Sequence, residues 1–250
     1  MSFERGIRAR GSLAALMLAA YFSAAPIHAQ ERPSAVLELF TSQGCSSCPK
    51  ADALLNDLAE NPGLLTLSYH VDYWDYLGWK DELASPENSR RQREYNARAD
   101  GSVYTPQLIF NGEQALVGSD RGAIASAIRD QGNTPLPVAV DLEVRGNVLA
   151  LTIGAQENAA PGRTEILLLS VEPQREVRIE AGENAGETIL YRNIVRDHRI
   201  IGMWKGKEMQ LELPLDEVGG SAAEECVVLV QKVDQNGHPG PILGAARTRL

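Results

Sequence analysis

Two cysteines three positions apart, Cys45 and Cys48, stand where a short apolar run gives way to a helical pattern, and that seam constrains the fold most. Before it, Ala35–Thr41 (AVLELFT) reads as a buried strand, ended by Ser42-Gln43-Gly44. After it, Ala51, Leu54, Leu55 and Leu58 fall on one helical stripe, which Asn61-Pro62-Gly63 stops. Residues 64–71 form a second strand. Strand, helix and strand in that order favour a parallel pair with a crossover helix.

Position gives the cysteine pair its chemistry. Residues three apart at a helix start share a face and lie close enough to bridge. The unpaired N–H groups and positive dipole end of the helix stabilise a thiolate on the first of them. Such a sulfur is a nucleophile near neutral pH. Cys45 would attack a partner's disulfide, and Cys48 would resolve the mixed disulfide. Pro49 is tolerated in the first helical turn. Two other uses compete. A structural zinc site needs two further ligands, for which Cys226, His70, His198 and His238 are the candidates. An inert disulfide would close only a small loop and stabilise weakly.

Further along, aromatic residues crowd positions 69–79. The expected reading there is a packed corner, with Asp72 near the cysteines and an aromatic groove wall as the alternative. His70 reads as a core imidazole that could instead tune Cys45. A helix follows from Ser85 as N-cap and Pro86 to about Ala99. Its Arg90, Arg91 and Arg93 look like a solvated face, with a clamp for a substrate carboxylate as the alternative. Gln107–Phe110 is a strand, Asn111-Gly112 a turn and 115–117 a partner strand. Ser119 or Asp120 then caps a helix with Ile124, Ala127 and Ile128 inward. Tyr104-Thr105-Pro106-Gln107 stands just before a strand, where an X–Pro bond can be cis.

After a linker at 133–137 the period changes from 3.6 to 2. Val138, Val140, Leu142 and Val144 alternate with polar residues, Gly146-Asn147 turns, and Leu149, Leu151 and Ile153 resume the alternation. Strand-like runs follow at 165–171, 188–195, 209–213 and 226–233. No strong helix appears, so an all-β sandwich is expected over 138–250. Cys226 opens a continuous apolar run and reads as a small hydrophobe.

The first 29 residues do not belong to this fold. Arg5, Arg8 and Arg10, a short apolar run and the small residues before Ala29 have the order of a secretory signal peptide. The run is shorter than a bilayer requires, so no stable membrane insertion is expected after cleavage. A periplasmic or secreted product follows, in a compartment where a cysteine pair can oxidise. The 250-residue chain carries a formal net charge of −9 without a basic stripe, which argues against nucleic acid as a partner.

Together, strand, CxxC at a helix start, strand, helix, Thr-Pro before a hairpin and a last helix resemble the thioredoxin superfamily. That resemblance implies an α/β thioredoxin-like domain over 33–132. It makes Cys45 the nucleophile and Cys48 the resolving cysteine, and the two would form the redox-active disulfide. Pro106 would be the cis-proline, and with Thr105 it would offer backbone to a substrate chain. The strings FTSQGCSSCPKADALL, HVDYWDYLGWKD and VYTPQLIFNG resemble one branch more closely, bacterial exported proteins filed as domain of unknown function 1223. The chain departs from thioredoxins in having Gly44 before the pair and Ser46-Ser47 inside it. No clear counterpart of the buried thioredoxin acid appears, Glu38 being a weak candidate. The expected activity is thiol–disulfide exchange on protein or peptide thiols and disulfides, with an unidentified redox partner. No dissociable cofactor or metal is expected, because the cysteine pair holds the electrons. The alternatives are a non-catalytic peptide-binding module on the same scaffold and a Cu(I) metallochaperone using both thiolates.

Overall fold

The computed structural model describes residues 32–156, 162–218 and 224–250. The signal-peptide expectation for residues 1–29 therefore lies outside the described residues. The apolar run AVLELFT forms β1 (Ala35–Thr41), buried along its whole length. Helix α1 (Pro49–Leu58) carries the chain over to β2 (Leu64–His70), which pairs parallel to β1. A single 3₁₀ turn (Asp75–Leu77) and α2 (Pro86–Arg98) follow. Ser85 caps α2 as expected, its Oγ accepting from Asn88 N at 3.1 Å. Next come β3 (Gln107–Phe110), β4 (Gln114–Val117) and α3 (Arg121–Gln131). Of the two expected caps for α3 it is Asp120 that accepts, from Ala123 N at 3.0 Å.

Alternation along β1 and β2 sorts the core into two faces. Ala35, Leu37 and Leu39 pack with Ala51, Leu54 and Leu55 of α1 and with Ile124 and Ala127 of α3. Val36, Phe40, Leu65, Leu67 and Tyr69 face the other way, toward Tyr95 of α2.

Beyond residue 137 the chain forms β5 (Val140–Arg145), β6 (Val148–Ile153), β7 (Arg163–Arg178), β8 (Thr188–Met203), β9 (Met209–Pro214), a short α4 (Leu215–Val218), β10 (Glu225–Val233) and β11 (Pro239–Arg249). The expected hairpin is β5–β6, with Arg145 opposite Val148 and Gly146 at φ +60°. With β9 it makes a three-stranded antiparallel sheet. The other layer differs from the expected separate sandwich. Strands β7, β8, β10 and β11 continue the first sheet, giving one eight-stranded sheet in the order β11-β10-β7-β8-β2-β1-β3-β4. The junction is a parallel contact of β8 with β2, Ser68 opposite Ile194.

The apolar runs explain why. In β7 and β10 both faces are covered. Ile166, Leu168, Val228 and Val230 pack against Leu142, Leu149 and Leu151 of the small sheet. Leu167, Leu169, Val227 and Leu229 join the core that holds Val36, Phe40 and Tyr69. A strand buried on both sides reads as unbroken hydrophobicity, as LLLS and CVVLV do here. Strand β11 lacks that pattern because it must pass close to its neighbours. A side chain at Gly244 would come within 2.4 Å of the Val138 carbonyl.

Because one apolar core includes residues from Val36 to Ala245, the chain is expected to unfold in a single cooperative transition. Far-ultraviolet circular dichroism and tryptophan fluorescence should give coincident midpoints; two separated transitions would contradict a shared core.

Candidate functional site

The turn from β1 into α1 is built by the backbone. Cys45 N donates to Ser42 O at 3.2 Å, Cys48 N to Cys45 O at 3.1 Å, and the amides of Ala51 and Asp52 to Cys48 O. Cys48 is thus the N-cap of α1, without a side-chain cap bond of its own. Cys45 and Cys48 form a disulfide with Cα atoms 5.4 Å apart. Its sulfurs sit where the unpaired helix amides and the dipole favour negative charge. Ser46 and Ser47 between them are exposed, whereas Cys45 is only 2% exposed and Cys48 fully buried.

Two distant segments, 74–81 and the one carrying Asn184, hold this loop. Gln43 N donates to Asp81 Oδ2 at 2.9 Å, and Gln43 Oε1 accepts from Trp79 Nε1 at 2.7 Å. Asn184, in the β7–β8 connection, donates through Nδ2 to the carbonyls of Gln43 (2.8 Å) and Cys45 (3.0 Å). On another side Gly44 lies against Trp74, where an added Cβ would be 3.1 Å from Trp74 Cβ. Trp74 Nε1 donates to Thr105 Oγ1 at 2.7 Å, and the Thr105–Pro106 bond is cis. Gly118 marks how near Pro106 comes to α1. A Cβ placed there would meet Leu39, Pro106 and Ala51 together. The structure therefore brings Thr105 and Pro106 to the same end of the sheet as the cysteines.

Beneath the disulfide lies a buried polar cluster. His70 Nδ1 faces Asp81 Oδ2 at 2.7 Å, and both side chains are wholly buried. A ring nitrogen facing a carboxylate must donate. Burial works against the charge on Asp81. His70 and the amides of Gln43 and Leu83 outweigh it and hold the carboxyl below its usual range. Asp52, one helical turn after Cys48, has neither oxygen in a well-formed hydrogen bond among the described residues, although the Thr41 hydroxyl lies near enough to favour its charge; His70 Nε2 and the Tyr191 hydroxyl also lack partners. The Tyr191 ring stands edge-on to His70, centroids 4.6 Å apart. Burial pushes the Asp52 carboxyl up to about 7, with His70 pulling the other way. Orphaned groups this numerous are uncommon in a protein interior and mark a place of stored cost.

Two further expectations are corrected, those for Glu38 and Arg91, and the structure also places Asp72 and Cys226. Glu38 lies on the opposite face of β1, where it accepts from Arg91 Nε at 2.8 Å and from the Tyr95 hydroxyl. It is a structural partner for α2 and not an acid under the cysteines. Arg91 is accordingly buried, while Arg90 and Arg93 are exposed. Asp72 is engaged by Ser89 of α2 through both its amide and its carboxylate. Cys226 is buried in the second core, and burial pushes its thiol up to about 12. Among the described residues no cluster of His, Cys, Asp and Glu is placed to hold a metal ion.

Against this geometry the relationships of the chain can be stated. The family model described as "Protein of unknown function (DUF1223)" matches residues 36–231. The chain belongs to the DUF1223 family. The matched span covers the cysteine turn, the Asp52–His70–Asp81 cluster and the Asn184 contact. Protein AGR_C_4864 from Agrobacterium tumefaciens is 36% identical, covering 89% of this chain and 99% of that one, with a TM-score of 0.75. HBP35 of Porphyromonas gingivalis is 16% identical over 88% of this chain and 76% of that one, with a TM-score of 0.61, a likeness of fold alone. No curated protein gives a significant match.

Asp52 had a signal in the sequence, since it stands four residues after Cys48 on the same helical face. Asn184 had none, being 139 residues from its Cys45 contact.

The buried Asp52 fixes a pH dependence. A carboxyl raised from 3.8 to about 7 binds its proton more tightly in the folded state, so folding loses stability as pH rises through that interval. The loss is on the order of 4 kcal/mol if the shift is fully expressed. Asp52→Asn should abolish it. Melting temperatures at pH 5 and pH 8 are expected to differ less in the variant than in wild type; an equal fall in both would contradict a buried acid at this position.

Proposed function

We propose that this DUF1223 protein is an exported thioredoxin-like thiol–disulfide oxidoreductase acting on protein or peptide substrates. One observation carries the reading: a disulfide closes the turn that leads from β1 into the N-cap of α1, with an acid raised toward neutrality one turn into that helix. A static staple needs neither the helix terminus nor the acid.

In the reducing direction the Cys45 thiolate attacks one sulfur of a substrate disulfide. A Cys45–substrate bond forms, the substrate S–S bond breaks, and the displaced sulfur leaves as thiolate and takes a proton. Cys48 then loses its proton and attacks the Cys45 sulfur. The Cys45–Cys48 bond closes and the second substrate thiol departs. Two electrons pass from the cysteine pair to the substrate. The same steps run backwards when the protein oxidises a dithiol. Asp52 is suited to accept the Cys48 proton, because a group titrating near 7 exchanges protons efficiently at neutral pH. His70 and Asp81 set the charge around it. Thr105 and Pro106 are proposed to line the substrate side, where Thr105 is fixed by Trp74.

Removing the resolving sulfur tests the scheme. Cys48→Ser should accumulate mixed disulfides through Cys45 when offered a disulfide-bonded peptide, visible by non-reducing electrophoresis and mass spectrometry. Cys45→Ser should accumulate none. Equal trapping by both variants, or by neither, would overturn the proposed roles.

A further inference from the structure

The polar cluster beneath the disulfide is drawn from several elements. Thr41 of β1 and His70 of β2 are register partners in the parallel pair. Alternation turns both toward α1, since Leu39 and Leu64 on the same faces share a core with that helix. Asp52 stands opposite them on α1, with the Thr41 hydroxyl near enough to favour its charge. Asp81, before α2, and Tyr191 of β8 complete the group. Asp75 lies at its outer edge, its carboxylate accepting from Asp81 N at 3.1 Å. Among the described residues these are the titratable groups that face one another there, beside the cysteines.

The two ring nitrogens of His70 have unlike surroundings. Nδ1 donates to Asp81 Oδ2 at 2.7 Å. That carboxylate is fully engaged, for Oδ2 also accepts from Gln43 N and Oδ1 from Leu83 N, both at 2.9 Å. Nε2 is buried without a partner among the described residues. The residue itself is fixed, its carbonyl accepting from Ser85 N at 3.2 Å and from Asn88 Nδ2 at 3.0 Å. Of all the neighbours of Asp52, His70 does most to favour its ionised form.

Counting charges shows what the cluster can hold. Asp81 is ionised, and burial pushes the Tyr191 hydroxyl well up, so it keeps its proton. When Asp52 and His70 hold one proton between them, that pair is neutral as a whole and Asp81 leaves the cluster with one negative charge. When they hold two, Asp52 is a neutral acid, His70 is an imidazolium, and Asp81 balances it. Buried charge is costly unless paired, so the fixed charge of Asp81 favours uptake of the second proton.

We propose that His70 is a second holder for the proton that Cys48 gives up, acting through Asp52 with Asp81 as its counter-charge. This rests on the oxidoreductase reading above. As Cys48 closes the bridge its S–H bond breaks, and an O–H or N–H bond forms within the Asp52–His70 pair. When the disulfide is reduced the proton returns to the Cys48 sulfur. Only protons pass through the pair; the two electrons stay with the sulfurs of protein and substrate.

Dithiobis(nitrobenzoate) reads the two sulfur steps separately in the reduced protein. The first nitrothiophenolate leaves when Cys45 attacks, at a rate that rises with reagent concentration. The second leaves when Cys48 closes the bridge, at a rate that does not. His70→Asn keeps a donor facing Asp81 and puts nothing in place of Nε2. Without the imidazole charge Asp52 keeps its proton to higher pH, so the midpoint of the second phase should rise. That phase is expected to be about tenfold slower at pH 7 and about equal to wild type by about pH 9.5, where Cys48 ionises unaided. The first phase should keep its rate. A second phase that is unchanged, or slowed equally at every pH as a merely structural role requires, would overturn the proposal. No first phase in wild type would overturn the exchange reading and this one with it. In wild type, ¹⁵N-histidine spectra of the reduced protein should show the His70 ring titrating through the midpoint of the second phase. A ring that keeps one protonation state across that range would overturn the proposal whether or not the variant folds.

Discussion

The arrangement depends on how the backbone is held at Gln43. That residue turns the chain from the buried strand β1 into helix α1, and each of its polar groups but the amide nitrogen of its side chain is engaged. Its N–H is held by Asp81, its carbonyl by Asn184 and its side-chain oxygen by Trp79. Two segments far apart in sequence, Trp79–Asp81 and Asn184, therefore fix where the helix begins, and with it where the sulfurs sit. A helix terminus favours a thiolate only if the sulfur stays within its first turn. Holding the turn is what makes that electrostatic effect dependable.

The same clamp explains the burial of the pair. Asn184 closes over the loop from the β7–β8 connection, and Trp74 lies against Gly44 on another side. Beneath, Asp52, His70 and Asp81 occupy space that a purely structural site would fill with aliphatic side chains. A buried acid without a well-formed hydrogen bond, as Asp52 is, costs stability. On the proposed oxidoreductase reading, such an acid is kept close to the disulfide because a proton has to move there.

Much of the first half was legible because its signals are local. Ser85 and Asp120 cap helices through bonds to residues three positions on, and AVLELFT announces a strand buried on both faces. The CxxC seam was legible for the same reason, its geometry being set within one helical turn. The second half was harder. The alternation of β5 and β6 reports a strand with one wet face and located the small sheet correctly. The runs in β7 and β10 say only that both faces are covered, and do not say by what. That β8 would lie beside β2 depends on Ser68 meeting Ile194, a contact 126 residues apart with no local trace. Charge misled in a similar way. Arg91 looked like a member of an exposed basic face, yet its helical phase carries it inward to Glu38. Local charge patterns do not reveal a partner on another strand.

The central claim is that the start of α1 makes one sulfur reactive. The most direct measurement is the pH dependence of alkylation of the reduced protein by iodoacetamide, with the modified residue identified by mass spectrometry. Preferential modification of Cys45, with an apparent pKa clearly below the ordinary thiol value of about 8.5, is the predicted result. Modification of Cys45 only above that value, or of Cys48 first, would contradict the account.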